Sequence, residues 1–201
     1  MADLRYAAYL RPAAALDAAV AEVHDVLRRR FGLVAAARFM PHATLKGFFR
    51  TAAPPGDLVD RLAAALAPHG PVPVHNAGVV VLAPDTIALD IDTDGRGRQS
   101  APLRALHDVV FGALAPVVAA DCDFTPLEYA GERFRAHLTL AMADVPPARF
   151  ADVLAAVRAL EPIGPRESVA TAVQLLRFES RAWAGAWWET LRWHEVHTAA
   201  L

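Results

Sequence analysis

Two stretches decide the fold, Pro41-His42-Ala43-Thr44-Leu45 and Ala136-His137-Leu138-Thr139-Leu140, because both halves of the chain carry the pattern His-x-Thr-Leu. Successive side chains of a β-strand point to opposite faces, so residues two apart share a face. In each stretch the histidine and the threonine therefore lie together, while small or apolar residues lie on the opposite side. We predict two strands that each bury one face and present an imidazole and a hydroxyl on the other.

The sequence that follows each motif also repeats. A double proline comes a few residues later in both halves, at Pro54-Pro55 and Pro146-Pro147, and each is followed by apolar residues at helical spacing. This repetition indicates an old internal duplication. We predict a single domain over residues 1–201 with two pseudo-symmetric lobes, whose approximate boundary is the polar loop 92–100.

The remaining segments favour an α+β protein. Helices are predicted after Pro12, after each double proline and over residues 103–114. Runs rich in β-branched and aromatic residues predict strands over 4–10, 39–49, 72–82, 86–91, 134–142, 169–178 and 187–197. Because strands follow one another as hairpins as well as alternating with helices, we predict a bilobal, duplicated fold with antiparallel sheets around a central cleft and helices outside.

Composition excludes several classes of protein. With 55% hydrophobic and 21% charged residues, the 201-residue chain is not disordered, and no apolar run is long enough to span a membrane. Asp3 and Arg5 interrupt the apolar core that an export signal needs, and the single Cys122 can form no internal disulfide, so we expect a cytoplasmic protein. A net charge of −2 argues against binding of long duplex nucleic acid, which needs a strongly basic surface.

The chemistry of the paired motifs points to a phosphate ester. If the two strands face each other, one neutral imidazole can accept a proton, one imidazolium can donate a proton, and the hydroxyls of Thr44 and Thr139 can donate to phosphate oxygens. This chemistry needs no metal and no other cofactor. A single His-x-Thr-Leu would most simply be an ordinary strand histidine, but two copies in corresponding places favour a catalytic pair, His42 and His137.

With these motifs the chain resembles the two-histidine (2H) phosphoesterase superfamily, whose hallmark is two His-x-Thr/Ser-apolar motifs on facing strands of a duplicated fold. The order of strands and helices on both sides of each motif extends the resemblance over most of the chain. One departure is Ala136, since members labelled 2'-5' RNA ligase-like often have proline before the second histidine.

The resemblance implies hydrolysis of a 2',3'-cyclic phosphate, or of a 2'-5' phosphodiester, on an RNA end or a small nucleotide. One histidine would activate water while the other protonates the departing ribose oxygen. We take His137 as the base and His42 as the acid, but the two positions are nearly symmetric and the reverse order fits the sequence equally well. We expect a monomer that binds a small nucleotide or RNA end and no membrane.

Other residues are secondary candidates for the substrate. Lys46 continues the face of His42 and Thr44, and Arg135 precedes His137 by two residues, so both are candidate phosphate contacts; the alternative for each is a solvated charge at a strand end. The aromatic residues are candidates for stacking a base, with core packing as the alternative for most of them: Phe48, Phe49, Trp183, Trp187, Trp188 and Trp193.

Alternative functions stay open at this point. The chain fits a 2H enzyme for another small cyclic phosphoester, or a nucleotide- or RNA-binding module without turnover. A zinc protein would need a third ligand beside the two histidines, and the remaining histidines show no ligand spacing. The run from Asp90 through Asp92 to Asp94-Gly95 matches the first half of a calcium loop, but Ala101 stands where that loop needs a bidentate glutamate.

Overall fold

The computed structural model describes residues 3–122 and 133–201, which form four helices and nine strands. The helices are α1 (Ala14–Phe31), α2 (Pro55–Leu66), α3 (Ala101–Leu114) and α4 (Phe150–Arg158). The strands are β1 (Arg5–Arg11), β2 (Ala43–Phe49), β3 (Val72–His75), β4 (Gly78–Ala83), β5 (Thr86–Asp90), β6 (His137–Ala141), β7 (Glu167–Ala170), β8 (Ala172–Glu179) and β9 (Arg192–Ala200).

The strands form antiparallel sheets, which confirms the predicted α+β class. The largest sheet has the order β2-β1-β8-β9, a second sheet has the order β4-β5-β6, and β3 pairs with β7. All of these pairings are antiparallel. The first motif strand, β2, is an edge strand of the largest sheet, and the second, β6, is an edge strand of the three-stranded sheet.

Helix α1 shows how the sequence produces these elements. Its buried residues Leu16, Val20, Val23 and Leu27 recur at helical spacing and form one apolar face. The helix ends at Gly32, whose φ of 74° is left-handed and whose N–H donates to the Arg28 carbonyl. Glycine adopts this conformation without the steric cost that a Cβ would bring, so the helix ends at this residue.

Both faces of β1, an inner strand of the largest sheet, are covered. Along β1, Tyr6, Ala8 and Leu10 join the main buried cluster, which includes apolar residues of both larger sheets and of all four helices. The intervening Ala7 and Tyr9 join a smaller cluster on the opposite face. That smaller cluster is aromatic, and it includes or packs against Phe39, Phe48, Phe178, Trp183 and Trp187.

The predicted strand over residues 72–82 is instead two strands in different sheets. The Asn76 side chain accepts a hydrogen bond from the Gly78 N–H at 3.1 Å and donates to the Ile163 carbonyl at 2.7 Å. Gly78 then turns the chain with a φ of 101°. As a result β3 pairs with β7, whereas β4 forms the predicted hairpin with β5. The strand predicted from residue 187 begins only at Arg192, after a 3-10 turn at Trp187–Glu189.

The two motif strands approach each other, with Cα atoms of β2 and β6 within 8 Å. Both are shorter than predicted: β2 begins directly after His42, and β6 begins at His137. The two histidines therefore lie at the N-terminal ends of neighbouring strands. Among the described residues no helix is long and apolar enough to cross a lipid bilayer.

Candidate active site

The two motif histidines make the same local hydrogen bond. His42 Nδ1 lies 2.7 Å from the Met40 carbonyl oxygen, and His137 Nδ1 lies 2.8 Å from the Arg135 carbonyl oxygen. A carbonyl oxygen can only accept, so in both rings Nδ1 carries a hydrogen and donates it. In the neutral ring Nε2 is then the unprotonated nitrogen, the one that can take a proton from another molecule.

His42 lies against aromatic rings. Its imidazole stacks on Tyr9 with ring centres 3.7 Å apart and an angle of 19° between the planes, and the Phe39 ring centre is 5.5 Å away. Burial in these surroundings lowers the pKa of His42 to about 4, an effect that the Met40 carbonyl opposes. The positive charge of protonated His137 lowers the pKa of His42 further. His42 is therefore neutral near pH 7.

His137 lies near carboxylates. On β5, Asp90 is the residue directly opposite His137, and Asp92 follows two residues later. Burial lowers the pKa of His137, while the Arg135 carbonyl and the negative charges of Asp90 and Asp92 raise it. Because no carboxylate of the described residues opposes the effect of burial at His42, His137 is the first of the two to take a proton as the pH falls.

The two motif threonines occupy corresponding places. Thr44 is opposite Tyr9 in the pairing of β1 with β2, and so lies on the face where Tyr9 stacks against His42. Thr139 is opposite Ala88 in the pairing of β5 with β6. Both threonines are half-buried.

Lys46 lies on the other face of β2 from Thr44, so the expectation of a shared face is wrong. The pairing of β1 with β2 shifts register between Thr44 and Lys46, and such a bulge interrupts the alternation of side chains. Lys46 Nζ is 5.5 Å from the ring centre of Phe49 and 5.6 Å from that of Phe111. The residue is only 5% exposed. Lys46 is thus buried, and not the solvated charge considered as the alternative; a phosphate contact by Lys46 stays a prediction.

Arg135 lies at the edge of the site, immediately before β6. Its side chain is 53% exposed, and its Nη1 is 3.9 Å from Asp92 Oδ2. The guanidinium is therefore accessible, and it lies between the Asp92 carboxylate and the Phe134 carbonyl, to which Nη1 donates at 2.9 Å.

A wall of aromatic rings extends from His42. Phe39 lies 6.2 Å from Phe48 and 5.8 Å from Trp187, and Phe48 lies 5.3 Å from Trp183, all measured between ring centres. Phe48 and both tryptophans are half-buried. These rings pack against the smaller cluster and also keep part of their surface accessible, so the core role applies to part of each ring and base stacking stays a prediction.

The other three aromatic candidates differ from this wall. Phe49 is fully buried in the main cluster, which is the core role given as the alternative. Trp188 contacts Trp187 edge to face. Trp193 is on β9, and its indole N–H donates to the Arg38 carbonyl at 2.9 Å.

Sequence reasoning missed three residues around the site, namely Tyr9, His24 and Asp92. Tyr9 stacks on His42, and His24 Nε2 donates to the Thr139 carbonyl at 3.0 Å from the buried face of α1. Asp92 is a buried carboxylate next to the second motif. Only the aspartate carried a signal, as part of the acidic run that resembles a calcium loop.

In the acidic run, both carboxylate oxygens of Asp94 are paired with residues of the same loop. Asp94 Oδ1 accepts hydrogen bonds from the N–H groups of Arg96 and Arg98, and its other oxygen pairs with the Arg98 guanidinium. Within residues 3–122 and 133–201, no group of three or more histidine, cysteine, aspartate or glutamate side chains is arranged to hold a metal ion.

Comparison with known proteins gives the following similarities. A family model described as the 2'-5' RNA ligase superfamily matches residues 12–181. Escherichia coli LigT complexed with 3'-AMP is 15% identical, with 98% of this chain and 97% of that chain covered and a TM-score of 0.53. The apo form of LigT is 13% identical, with 100% of this chain and 98% of that chain covered and a TM-score of 0.56. TT0787 of Thermus thermophilus is 18% identical, with 98% of this chain and 97% of that chain covered and a TM-score of 0.53. No curated protein matches.

Proposed function

The chain belongs to the 2'-5' RNA ligase superfamily, and from this membership we propose that it is a phosphodiesterase with two-histidine acid–base catalysis. The proposed substrate is a 2',3'-cyclic phosphate, or a 2'-5' phosphodiester, on an RNA end or a small nucleotide. We also propose that residues 1–201 form one domain of two pseudo-symmetric lobes, which meet where β2 approaches β6, and that the protein acts in the cytoplasm as a monomer.

One observation carries the catalytic proposal. Both imidazoles donate Nδ1–H to the carbonyl two residues earlier, at 2.7 Å and 2.8 Å. These bonds fix the tautomer and the orientation of each ring and leave both Nε2 atoms available for a substrate. Two independent strand histidines have no reason to share this arrangement, whereas a pair that relays protons across one phosphate requires it.

In the proposed reaction water attacks phosphorus as one P–O bond of the cyclic ester breaks. The neutral imidazole takes a proton from the water molecule through Nε2, and the protonated imidazole gives a proton to the departing ribose oxygen. The product is a ribose phosphate monoester with a free neighbouring hydroxyl. Thr44 and Thr139 are the proposed donors to the non-bridging oxygens, and Arg135 is a further phosphate contact.

The surroundings of the histidines suggest an order for these roles. Without substrate, His137 lies beside Asp90 and Asp92 and takes a proton before His42 does as the pH falls. We therefore assign the acid to His137 and the base to His42, which reverses the order taken from the sequence. The pH profile of kcat/KM reports the free enzyme, so the optimum should lie above the His42 pKa of about 4 and below the ordinary histidine value of 6.5.

Small nucleotides are the proposed ligands on two grounds. Complexes of E. coli LigT with 3'-AMP, ATP and NADP+ are among the similar structures. In this chain the accessible aromatic wall of Phe48, Trp183 and Trp187 extends from the His42 side of the cleft. Aromatic rings stack on bases with little regard to their identity, at about 1–3 kcal/mol per base.

The test is hydrolysis of the four nucleoside 2',3'-cyclic monophosphates with EDTA present, across pH roughly 4 to 9. We expect turnover with a bell-shaped profile, and a loss of at least about a hundredfold in both His42→Ala and His137→Ala, because each removes one partner of the proton relay. His194→Ala is the matched control, since His194 is exposed on β9. Turnover that survives both substitutions, or that EDTA abolishes, would contradict the proposal.

A further inference from the structure

Asp92 is a buried carboxylate that the proposed reaction does not use. It is 6% exposed, and its two oxygens both face the second motif. Oδ1 accepts the Ala136 N–H at 3.3 Å, and Oδ2 lies 3.9 Å from Arg135 Nη1. Burial of a carboxylate is costly unless it is paired and hydrogen-bonded, so these contacts account for its tolerance at this place.

The loop holds Asp92 firmly in turn. The Asp92 N–H donates to Asp90 Oδ1 at 2.7 Å, and the Asp92 carbonyl accepts the Ser100 N–H at 2.6 Å. The Ile91 N–H also donates to the Ala136 carbonyl at 3.1 Å. Ala136 is therefore held on both sides of its peptide by residues 91 and 92.

These contacts act on His137 through one further hydrogen bond, the one that its ring donates to the Arg135 carbonyl. The segment that Asp92 holds, Arg135 and Ala136, includes the carbonyl that accepts His137 Nδ1–H. A shift of this segment would move the acceptor and with it the plane of the imidazole. On the first motif the carbonyl of Met40 plays the same part for His42, but the contacts of His42 are aromatic rings.

We infer that Asp92 is a positioning residue for His137: its carboxylate fixes the backbone of Arg135 and Ala136 and so orients the imidazole through the Arg135 carbonyl. The charge of the same carboxylate raises the pKa of His137. This inference rests on the proposed function, in which His137 moves a proton. It also gives the acidic run a role: Asp94 closes the turn, and Asp92 supports the second histidine.

Asp92 is one of several charged or titratable groups around His137, so its effect on the His137 pKa must be distinguished from theirs. Asp90 faces His137 from β5 and adds a second negative charge. Arg135 pairs with Asp92 and opposes its charge. On neighbouring elements, His42 lies in the first motif and His24 lies on α1, and both are neutral near pH 7 because burial lowers the pKa of each.

The experiment replaces Asp92→Asn in the full chain and titrates the imidazole ¹⁵N and ¹H signals of His137 by NMR without ligand. Asparagine keeps an oxygen for the Ala136 N–H and removes the charge. We expect the pKa of His137 to fall, and kcat on a 2',3'-cyclic mononucleotide to drop by about 10- to 100-fold with KM changed less than about threefold. Asp94→Asn is the control, and it should leave both the titration and kcat as in the wild type.

A second variant keeps the test decisive if Asp92→Asn folds poorly. Arg135→Met leaves the Asp92 carboxylate in place and removes the opposing charge, so the pKa of His137 should rise. An unchanged His137 titration in either folded variant would overturn the inference, even if the melting temperature falls, because a merely structural role lowers stability without moving that pKa. A lowered His137 pKa in Asp92→Asn with unchanged kcat would refute the positioning role alone. Turnover that survives His137→Ala would refute the proposed function.

Discussion

His42 and His137 hold the same place in their motifs but meet different surroundings. Each donates Nδ1–H to a carbonyl two residues earlier. His42 stacks on Tyr9, and no carboxylate in the described part of the chain acts on it, whereas Asp90 and Asp92 act on His137. The motif thus sets the geometry of the ring, and residues outside the motif set its affinity for a proton. A duplicated site can in this way supply two different functions from the same short sequence.

The largest expected effect separates acid from base. A nucleoside phosphodiester with a p-nitrophenolate leaving group needs no protonation of that group, so it bypasses the acid but still needs the base. Relative to the wild type, we expect His137→Ala to be at least about tenfold more active on this substrate than on a cyclic mononucleotide. His42→Ala should show no such recovery. Release of p-nitrophenolate measures both. Rescue of His42→Ala alone would reverse the assignment of the two roles.

The stacking partner of His42 comes next. Tyr9→Leu removes the ring that covers the imidazole, so water enters and the pKa of His42 rises towards its ordinary value. We expect kcat to fall about 10- to 100-fold because the ring is no longer held in plane, and the acid limb of kcat/KM to move to higher pH. Tyr9→Phe keeps the stack and should retain both properties. Equal profiles for Tyr9→Leu and the wild type would count against the aromatic surroundings as the cause.

Stability against acid follows from the lowered pKa values. Between the ordinary histidine value of 6.5 and the His42 value of about 4, the unfolded chain binds more protons than the native chain, so the free energy of unfolding falls as the pH falls through this range. Between pH 7 and pH 4, we expect the free energy of unfolding of His42→Gln to fall by roughly 1–2 kcal/mol less than that of the wild type. Urea denaturation at both pH values measures this, and parallel losses in the two proteins would refute it.

The smallest effect is expected at Lys46. Its side chain lies on the opposite face of β2 from Thr44, between the rings of Phe49 and Phe111. Lys46→Met keeps a long apolar stem there, so KM for a cyclic mononucleotide should change less than about threefold. Arg135→Met, which removes the accessible guanidinium, should raise KM more. A larger increase in KM for Lys46→Met than for Arg135→Met would place the lysine at the substrate.

Much of this fold follows from the sequence because its signals are local. The apolar spacing of Leu103, Leu106, Val110 and Leu114 predicts α3, and these residues are its buried face. The repeated His-x-Thr-Leu pattern predicts both motif strands, and the family match agrees with the resemblance that the motifs suggested. Alternation and helical spacing are consequences of backbone geometry, so they can be read without knowledge of the rest of the chain.

The remainder depends on contacts that are distant in the sequence. The bulge that turns Lys46 away is visible only in the pairing of β2 with β1. Asn76 ends β3 by donating a hydrogen bond to the carbonyl of Ile163. Asp92 accepts a hydrogen bond from the Ala136 N–H, 44 residues later in the sequence. Lys46 and Asn76 have no local pattern that distinguishes them from ordinary strand or loop residues, and the acidic run that includes Asp92 resembles a calcium loop rather than a contact with Ala136.

The most direct measurement of the central claim is the turnover of the double variant His42→Ala/His137→Ala beside the two single variants, on one 2',3'-cyclic mononucleotide at the pH optimum. Residues that act as a unit show losses that do not add. If the two histidines form one acid–base site, the double variant will be within about threefold of the slower single variant. A loss equal to the product of the two single losses would show that the histidines act independently and would contradict the account.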